Sequence, residues 1–282
     1  MVVAAASTTL FAQWPKHTAP GVPIGADGTP NLEAPAPRMP DGKPDLSGVW
    51  QIAANAARGR GRGAGRAGTP GEPAAQGRAA AVPVPAVGGA FGNIGANTPG
   101  GAPYQPWAAE LVKKRVADNS KDNPDAHCLP MGIGQLNGHI YPRKILQTPT
   151  ELLIIYEASG TTVREIFLDG RALPTDPEPW WDGYSTGHWD GDTLVVKTTG
   201  LMDDGWLDLR GSPITNKGTI TEKWRRPNFG TLELEETIED PTVYTKPFSA
   251  RLNYRISPDT QLLEFVCLDK DAAHYIGNAT GK

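Results

Sequence analysis

A chain of 282 residues, 39% of them hydrophobic, is long enough to bury a core, and a formal charge of −4 argues against a nucleic-acid binder. It carries 33 glycines and 27 prolines, more than half of them before residue 110, which leaves roughly 170 residues able to build a packed domain. No segment is long and apolar enough to cross a bilayer as a helix.

Residues 1–13 (MVVAAASTTLFAQ) form a signal-like apolar segment with a small-residue exit at Phe11-Ala12-Gln13, although a basic leading region is missing. The expectation is export, to the periplasm or outside the cell. Residues 14–105 read as an extended arm rich in Pro, Gly, Ala and Arg. Its first part holds Pro15, Pro20, Pro23, Pro30, Pro35, Pro37, Pro40 and Pro44, each of which removes a backbone donor and turns its neighbour away from helix. Within the arm, residues 45–52 (DLSGVWQI) form a short apolar island, one strand or a plug. Residues 54–103 are of low complexity and bury too little to offset their chain entropy, so order there calls for a partner. Arg58, Arg60, Arg62, Arg66 and Arg78 face the single acid Glu72 between residues 51 and 100. The first four are the candidate partner-binding residues, suited to an acidic protein surface or to lipid headgroups.

The stretch 106–118 predicts a helix: Pro106 suits the first turn, Trp107 and Leu111 share a face, and Lys113, Lys114 and Arg115 lie where the helix dipole favours cations. Strands are predicted over 144–147, 152–157, 163–168, 184–189, 193–199, 218–226, 231–238, 248–256 and 262–268. Turns at Ser159-Gly160, Asp190-Gly191, Asn228-Phe229-Gly230 and Ser257-Pro258-Asp259 separate several of them. The clearest is the β-branched run Thr193-Leu194-Val195-Val196-Lys197-Thr198-Thr199. The expected fold is all-β: an antiparallel meander over residues 106–282, closing into a lipocalin-like barrel, with one short helix and the long N-terminal arm.

Chemistry is sparse. The most unusual segment, residues 179–192, concentrates Trp180, Trp181, Tyr184, His188 and Asp190. It predicts either a ligand pocket at the barrel mouth, with His188 as acid or base, or aromatics that plug the barrel end. The five histidines lack metal-ligand spacing, so no metal is expected, and no phosphate-cradling loop or nucleophile elbow points to a cofactor or hydrolase site. Glu233 and Glu235 alternate with leucines and belong on an outer strand face. Glu222 with Arg225 or Arg226, and Arg164 beside Glu165, read as cross-strand ion pairs. Two cysteines, Cys128 and Cys267, form either a disulfide, expected in an exported protein, or two buried thiols.

Several stretches recur as a set: Pro44-Asp45-Leu46-Ser47-Gly48-Val49-Trp50, Cys128-Leu129-Pro130-Met131-Gly132, residues 144–149 (KILQTP), residues 166–171 (IFLDGR), residues 183–196 (GYSTGHWDGDTLVV), Asp240-Pro241 and Tyr244-Thr245-Lys246-Pro247. This set resembles a family of exported bacterial β-rich proteins to which no activity is assigned. The resemblance covers roughly residues 44–270 apart from the low-complexity insert. It implies export and a β-rich domain, and carries no catalytic residue.

The expected role is therefore non-catalytic: an exported accessory or structural subunit docking, through arm and barrel surface, on protein subunits of a larger complex. A membrane complex such as a respiratory or photosynthetic one would fit, with contact at the membrane surface. The alternative is a small-ligand-binding protein or a hydrolase- or lyase-type enzyme with its pocket near Trp180, Tyr184 and His188.

Overall fold

The computed structural model describes residues 19–53, 92–96, 98–158 and 162–267. Among them nine strands close a barrel in which sequence neighbours are also spatial neighbours. They are β1 (Gly48–Ile52), β2 (Arg143–Gln147), β3 (Glu151–Tyr156), β4 (Val163–Phe167), β5 (Tyr184–Asp190), β6 (Thr193–Thr199), β7 (Thr219–Asn228), β8 (Thr231–Glu239) and β9 (Phe248–Ile256). The barrel is all-β, as the strand pattern requires. Helices are short: α1 (Pro106–Ala117), α2 (Ile133–Gly138) and a 3-10 turn at Pro124–His127.

Two features depart from the predicted meander. β4 and β5 pair in parallel, Ile166 against Ser185, so residues 168–183 return outside the barrel before β5 begins. The second departure concerns closure. Residues 261–267 form no strand, and Leu263 and Val266 are 54% and 61% exposed. Their place is taken by the apolar island: β1 pairs with β2 through Trp50 and Arg143, and with β9 through Trp50 and Ile256. The barrel therefore draws its first strand from the predicted arm rather than starting at residue 106. A five-residue strand with a fully buried Trp closes the ladder, whereas the C-terminal segment has lost both flanks to it.

Alternation fills the lumen. Inward positions carry Trp50, Ile154, Tyr156, Ile166, Leu194, Val196, Trp224, Leu232, Leu234 and Tyr254, all buried. Outer positions carry ion pairs such as Arg225–Glu233 and Arg251–Glu235, at 2.6 and 2.8 Å, on the strand face predicted to be solvated.

Each mouth is covered by the chain itself. At the end holding the β5–β6 and β7–β8 turns, residues 19–47 are seated on the barrel. Phe229 and Gly230 donate backbone hydrogen bonds to the carbonyls of Ala34 and Leu32, both at 2.7 Å, and Ala19 donates to the Pro258 carbonyl. Arg38 grips Asp192 with two nitrogens at 2.9 and 2.8 Å. A β-carbon on Gly230 would stand 2.6 Å from that of Leu32, so only glycine admits the strap there. Leu46 is buried beneath it, its carbonyl accepting from the Trp50 indole at 2.9 Å. Arg226 stacks over Trp50 and donates to the carbonyls of Asp45, Ser47 and Phe229. Burial pulls this guanidinium down to about 10 against the opposing charge of Asp45. The arm was expected to dock on other subunits; among the described residues, 19–47 are seated on the barrel of the same chain.

The other mouth lies under the long loops and helices. Ala108 and Val112 bury one face of α1, Arg115 stacks on Trp206 at 4.3 Å, and the Trp107 indole donates to the Thr242 carbonyl. Asp208 gathers the loop, accepting from the backbone of Ile94, Arg210 and Ser212.

Cys128 and Cys267 are bonded, with Cα atoms 5.6 Å apart across 139 residues of sequence. The bridge ties the C-terminal segment to the 3-10 turn, where Cys128 adopts a left-handed conformation. It is compatible with an oxidising compartment. Replacing both cysteines with alanine is expected to cost about 3 kcal/mol, the scale of the chain entropy such a loop withholds from the unfolded state. Thermal unfolding with and without reductant measures it. A wild type indifferent to reductant and a variant equal to it would contradict that figure.

Candidate functional site

The residues singled out from sequence do not assemble a pocket. Trp180 is 58% exposed, and its backbone pairs with Gly200 and Leu201 on the loop after β6. Trp181 is half-buried. Tyr184 opens β5, its ring 5.3 Å from Phe167 and its hydroxyl accepting from Arg171. Since Ser185 faces the lumen, Tyr184 and His188 point outward by alternation, and His188 and Asp190 are exposed. A concavity of about 440 Å³ lined by Pro174, Pro177, Glu178, Thr199, Lys217 and Thr219 includes none of the five. Arg58, Arg60, Arg62 and Arg66 lie outside the described residues. Cys128 and Cys267 meet as expected. Among the described residues no helix is long and apolar enough to span a membrane, and no group of His, Cys, Asp and Glu is placed to hold a metal.

Unusual chemistry lies inside the barrel instead. Glu222 on β7 and Glu236 on β8 are direct cross-strand partners, both fully buried. Their alternation set is apolar: Ile220 and Trp224 flank Glu222, and Leu234 and Ile238 flank Glu236. Arg164 on β4, 1% exposed, forks onto both oxygens of Glu222 and also donates to Ser185 and Thr198. Burial alone would lower this guanidinium, but the Glu222 carboxylate outweighs it and holds it above its ordinary value. The two charges thus stabilise each other at the expense of their hydration.

The second carboxyl has no such cation. Helix α2 dips into the barrel and places Asn137 between the two acids. The Asn137 amide nitrogen donates to Glu222 at 2.9 Å and to Glu236 at 2.6 Å, and its oxygen accepts from the Tyr156 hydroxyl at 2.9 Å. The other Glu236 oxygen, Oε2, is buried without a partner. Burial and the neighbouring Glu222 charge push Glu236 up to about 8, against weaker opposition from Asn137, Arg164 and Arg143. At neutral pH Glu236 keeps its proton beside Glu222, which is paired with Arg164. Because the folded-state value lies above the ordinary 4.5, this group's contribution to stability is fully present below 4.5 and fades as pH rises through 8.

Arg143 on β2 seats the plug. It donates to the carbonyls of Leu136, Asn137 and His139, at 3.1, 2.6 and 2.6 Å, at the C-terminal end of α2. Its guanidinium lies 4.6 Å from the Tyr254 ring, whose hydroxyl also donates to the Asn137 carbonyl. A cation at a helix C-terminus meets the negative end of the dipole and satisfies carbonyls the helix leaves open. On the outer side of α2, Gln135 exchanges hydrogen bonds with Asn123, and burial together with Arg143 drives His139 down to about 3, so that it is neutral. Nearer the mouth, burial raises Asp182 to about 6, with Arg164 opposing.

Glu222, Glu236, Arg164 and Asn137 were not among the predicted site residues. Glu222 pairs with Arg164 across the lumen rather than with Arg225 or Arg226. Arg225 faces out to Glu233, and Arg226 turns in to carbonyls. A signal existed for three of them, since each occupies an inward position in an otherwise apolar alternation. Asn137 has none, because nothing local places α2 in the lumen.

These features define the class: a closed, all-β barrel whose lumen holds a satisfied ion pair, one protonated acid and an internal helical plug. Comparison with protein-family models, curated proteins and solved structures gave no match.

Proposed function

We propose that the protein is a non-catalytic accessory or structural subunit of an exported complex, acting through its outer surface. The observation that carries this reading is the barrel itself: its lumen is filled by buried side chains and α2, and its own segments cover both mouths. A ligand-binding barrel keeps an open, mostly apolar cavity in its mouth. Here Leu46 occupies one end and Asn137 with Arg143 the other.

The strap at 19–47 is engaged with its own barrel, so partner contact falls to the outer barrel face and to residues 54–91. That insert leaves the barrel wall at Ala53, whose amide donates to Asn253, and returns at Ile94, whose amide donates to Asp208. The insert carries five arginines and one acid. An acidic protein face fits that charge. The disulfide supports placement in an oxidising, exported compartment.

Arg58, Arg60, Arg62 and Arg66 replaced together by serine provide the test. The variant is expected to unfold at the wild-type temperature. Its native-extract complex, measured by size and cross-linking from the cell envelope, is expected to be lost. A wild type running as a free monomer in native extracts, or a variant that keeps the complex, would overturn the reading.

A further inference from the structure

We propose that α2 is a proton-gated plug: it stays seated while the Glu222–Glu236 pair carries one negative charge, and leaves the polar layer when both carboxyls are ionised. The step is loss of one proton from Glu236 to solvent, with no other bond made or broken.

The geometry places the charges around the pair; Asp182 is a further buried acid, raised by burial and opposed by Arg164. Glu222 faces Glu236 from β7, directly across the ladder, so two ionised carboxylates would repel at cross-strand distance. From β4, Arg164 is fully committed to Glu222, Ser185 and Thr198. From α2, the Asn137 amide spends one hydrogen on each acid, and its oxygen is taken by Tyr156 from β3. From β9, the Tyr254 hydroxyl is turned to the Asn137 carbonyl. Burial holds both tyrosines well above the ordinary phenol range, so neither titrates with the acid.

The remaining cation is Arg143 from β2. Its Nη1 and Nη2 hydrogen bonds go to the α2 carbonyls, its Nε is buried without a partner, and it opposes the rise of Glu236 less than Arg164 does. Arg164 forks onto Glu222 and Arg143 holds Leu136, Asn137 and His139, so the only hydrogen bond among the described residues that Glu236 accepts is from Asn137 of α2. A second carboxylate in this layer is therefore stabilised by the hydration it gains when α2 moves aside. The Glu236 oxygen without a partner marks where the new charge would appear, on a fully buried side chain held from α2 by Asn137. Opening wets the acid and exposes Asn137, Tyr156 and Tyr254 together. This device is independent of the docking role.

Hydrogen exchange of the full chain between pH 6 and 10 tests it, with each amide rate divided by its intrinsic value. The opening ratio of residues 133–139 is expected to rise about tenfold per pH unit above the titration of Glu236, the slope for release of one proton. Amides of β7 and β8 are expected to stay flat. Glu236→Gln, which keeps the shape and cannot ionise, is expected to abolish the rise. A flat profile for the wild-type plug overturns the proposal whether or not the variant folds, and so does a rise that survives in the variant. Infrared spectra of the wild type give a second reading. A protonated glutamic acid present at pH 7 must vanish over the same interval in which α2 opens, and its absence at pH 7 overturns the proposal.

Discussion

A chain beginning at residue 106 is expected to show no cooperative unfolding transition. Removing residues 1–105 strips β1 from between β2 and β9 and leaves two unpaired edges where the ladder had closed. It also removes Trp50 and Leu46, both at 0% exposure. Loss of one buried tryptophan side chain alone costs about 3–5 kcal/mol, comparable with the whole stability of a small domain. Arg226 suffers too, losing the carbonyls of Asp45 and Ser47 and the Trp50 ring. The companion experiment replaces only residues 54–91 with a neutral linker and is expected to leave the thermal transition in place. Circular dichroism melts of the two proteins decide the matter. A sharp transition in the 106–282 chain would show that β1 is dispensable and that closure lies elsewhere.

Glu222→Leu is expected to cost about 4 kcal/mol, because it leaves Arg164 as a buried cation without its carboxylate. Asn137 also loses one of its two carboxylate acceptors. The paired change Glu222→Leu with Arg164→Met is expected to recover most of the loss, since exchanging a buried ion pair for apolar side chains of like volume is often close to neutral. Urea unfolding of the wild type, the two single variants and the double variant completes the cycle. A single variant within about 1 kcal/mol of wild type would mean that the pair is not desolvated as described. A double variant no better than the worse single would place the cost in packing instead of charge.

The plug and the strap have related physical origins. Both are short polar or proline-bearing segments with little core of their own, and both are held by carbonyls that an arginine satisfies: Arg143 for α2, Arg226 for the strap. An arginine fork reaches several carbonyls at once and packs its plane on an aromatic ring, Tyr254 in one case and Trp50 in the other. Closure of each end of the barrel thus relies on one buried guanidinium.

Much of the barrel was legible in the chain. Eight of its strands follow from period-2 alternation and turn residues, because a strand with one wet and one dry face writes that pattern locally. The helix at 106–117 follows from Pro106 and the basic residues of its last turn, although the face it buries carries Ala108 and Val112 and leaves Trp107 exposed, and the outer positions of Glu233 and Glu235 follow from parity. Inward Glu222, Glu236 and Arg164 were also written in the alternation, although Glu222 with Arg225 or Arg226 and Arg164 beside Glu165 read as cross-strand ion pairs. Three things were not legible. That residues 48–52 rather than 262–268 close the barrel depends on which segment reaches both open edges, a long-range competition between two short apolar runs. The parallel step from β4 to β5 depends on the path of the returning loop. The place of Asn137 between two acids is set by the docking of a six-residue helix whose own sequence carries no instruction to enter the lumen. Local patterning decides which face of a strand is buried, while only the closed barrel decides which buried charges meet.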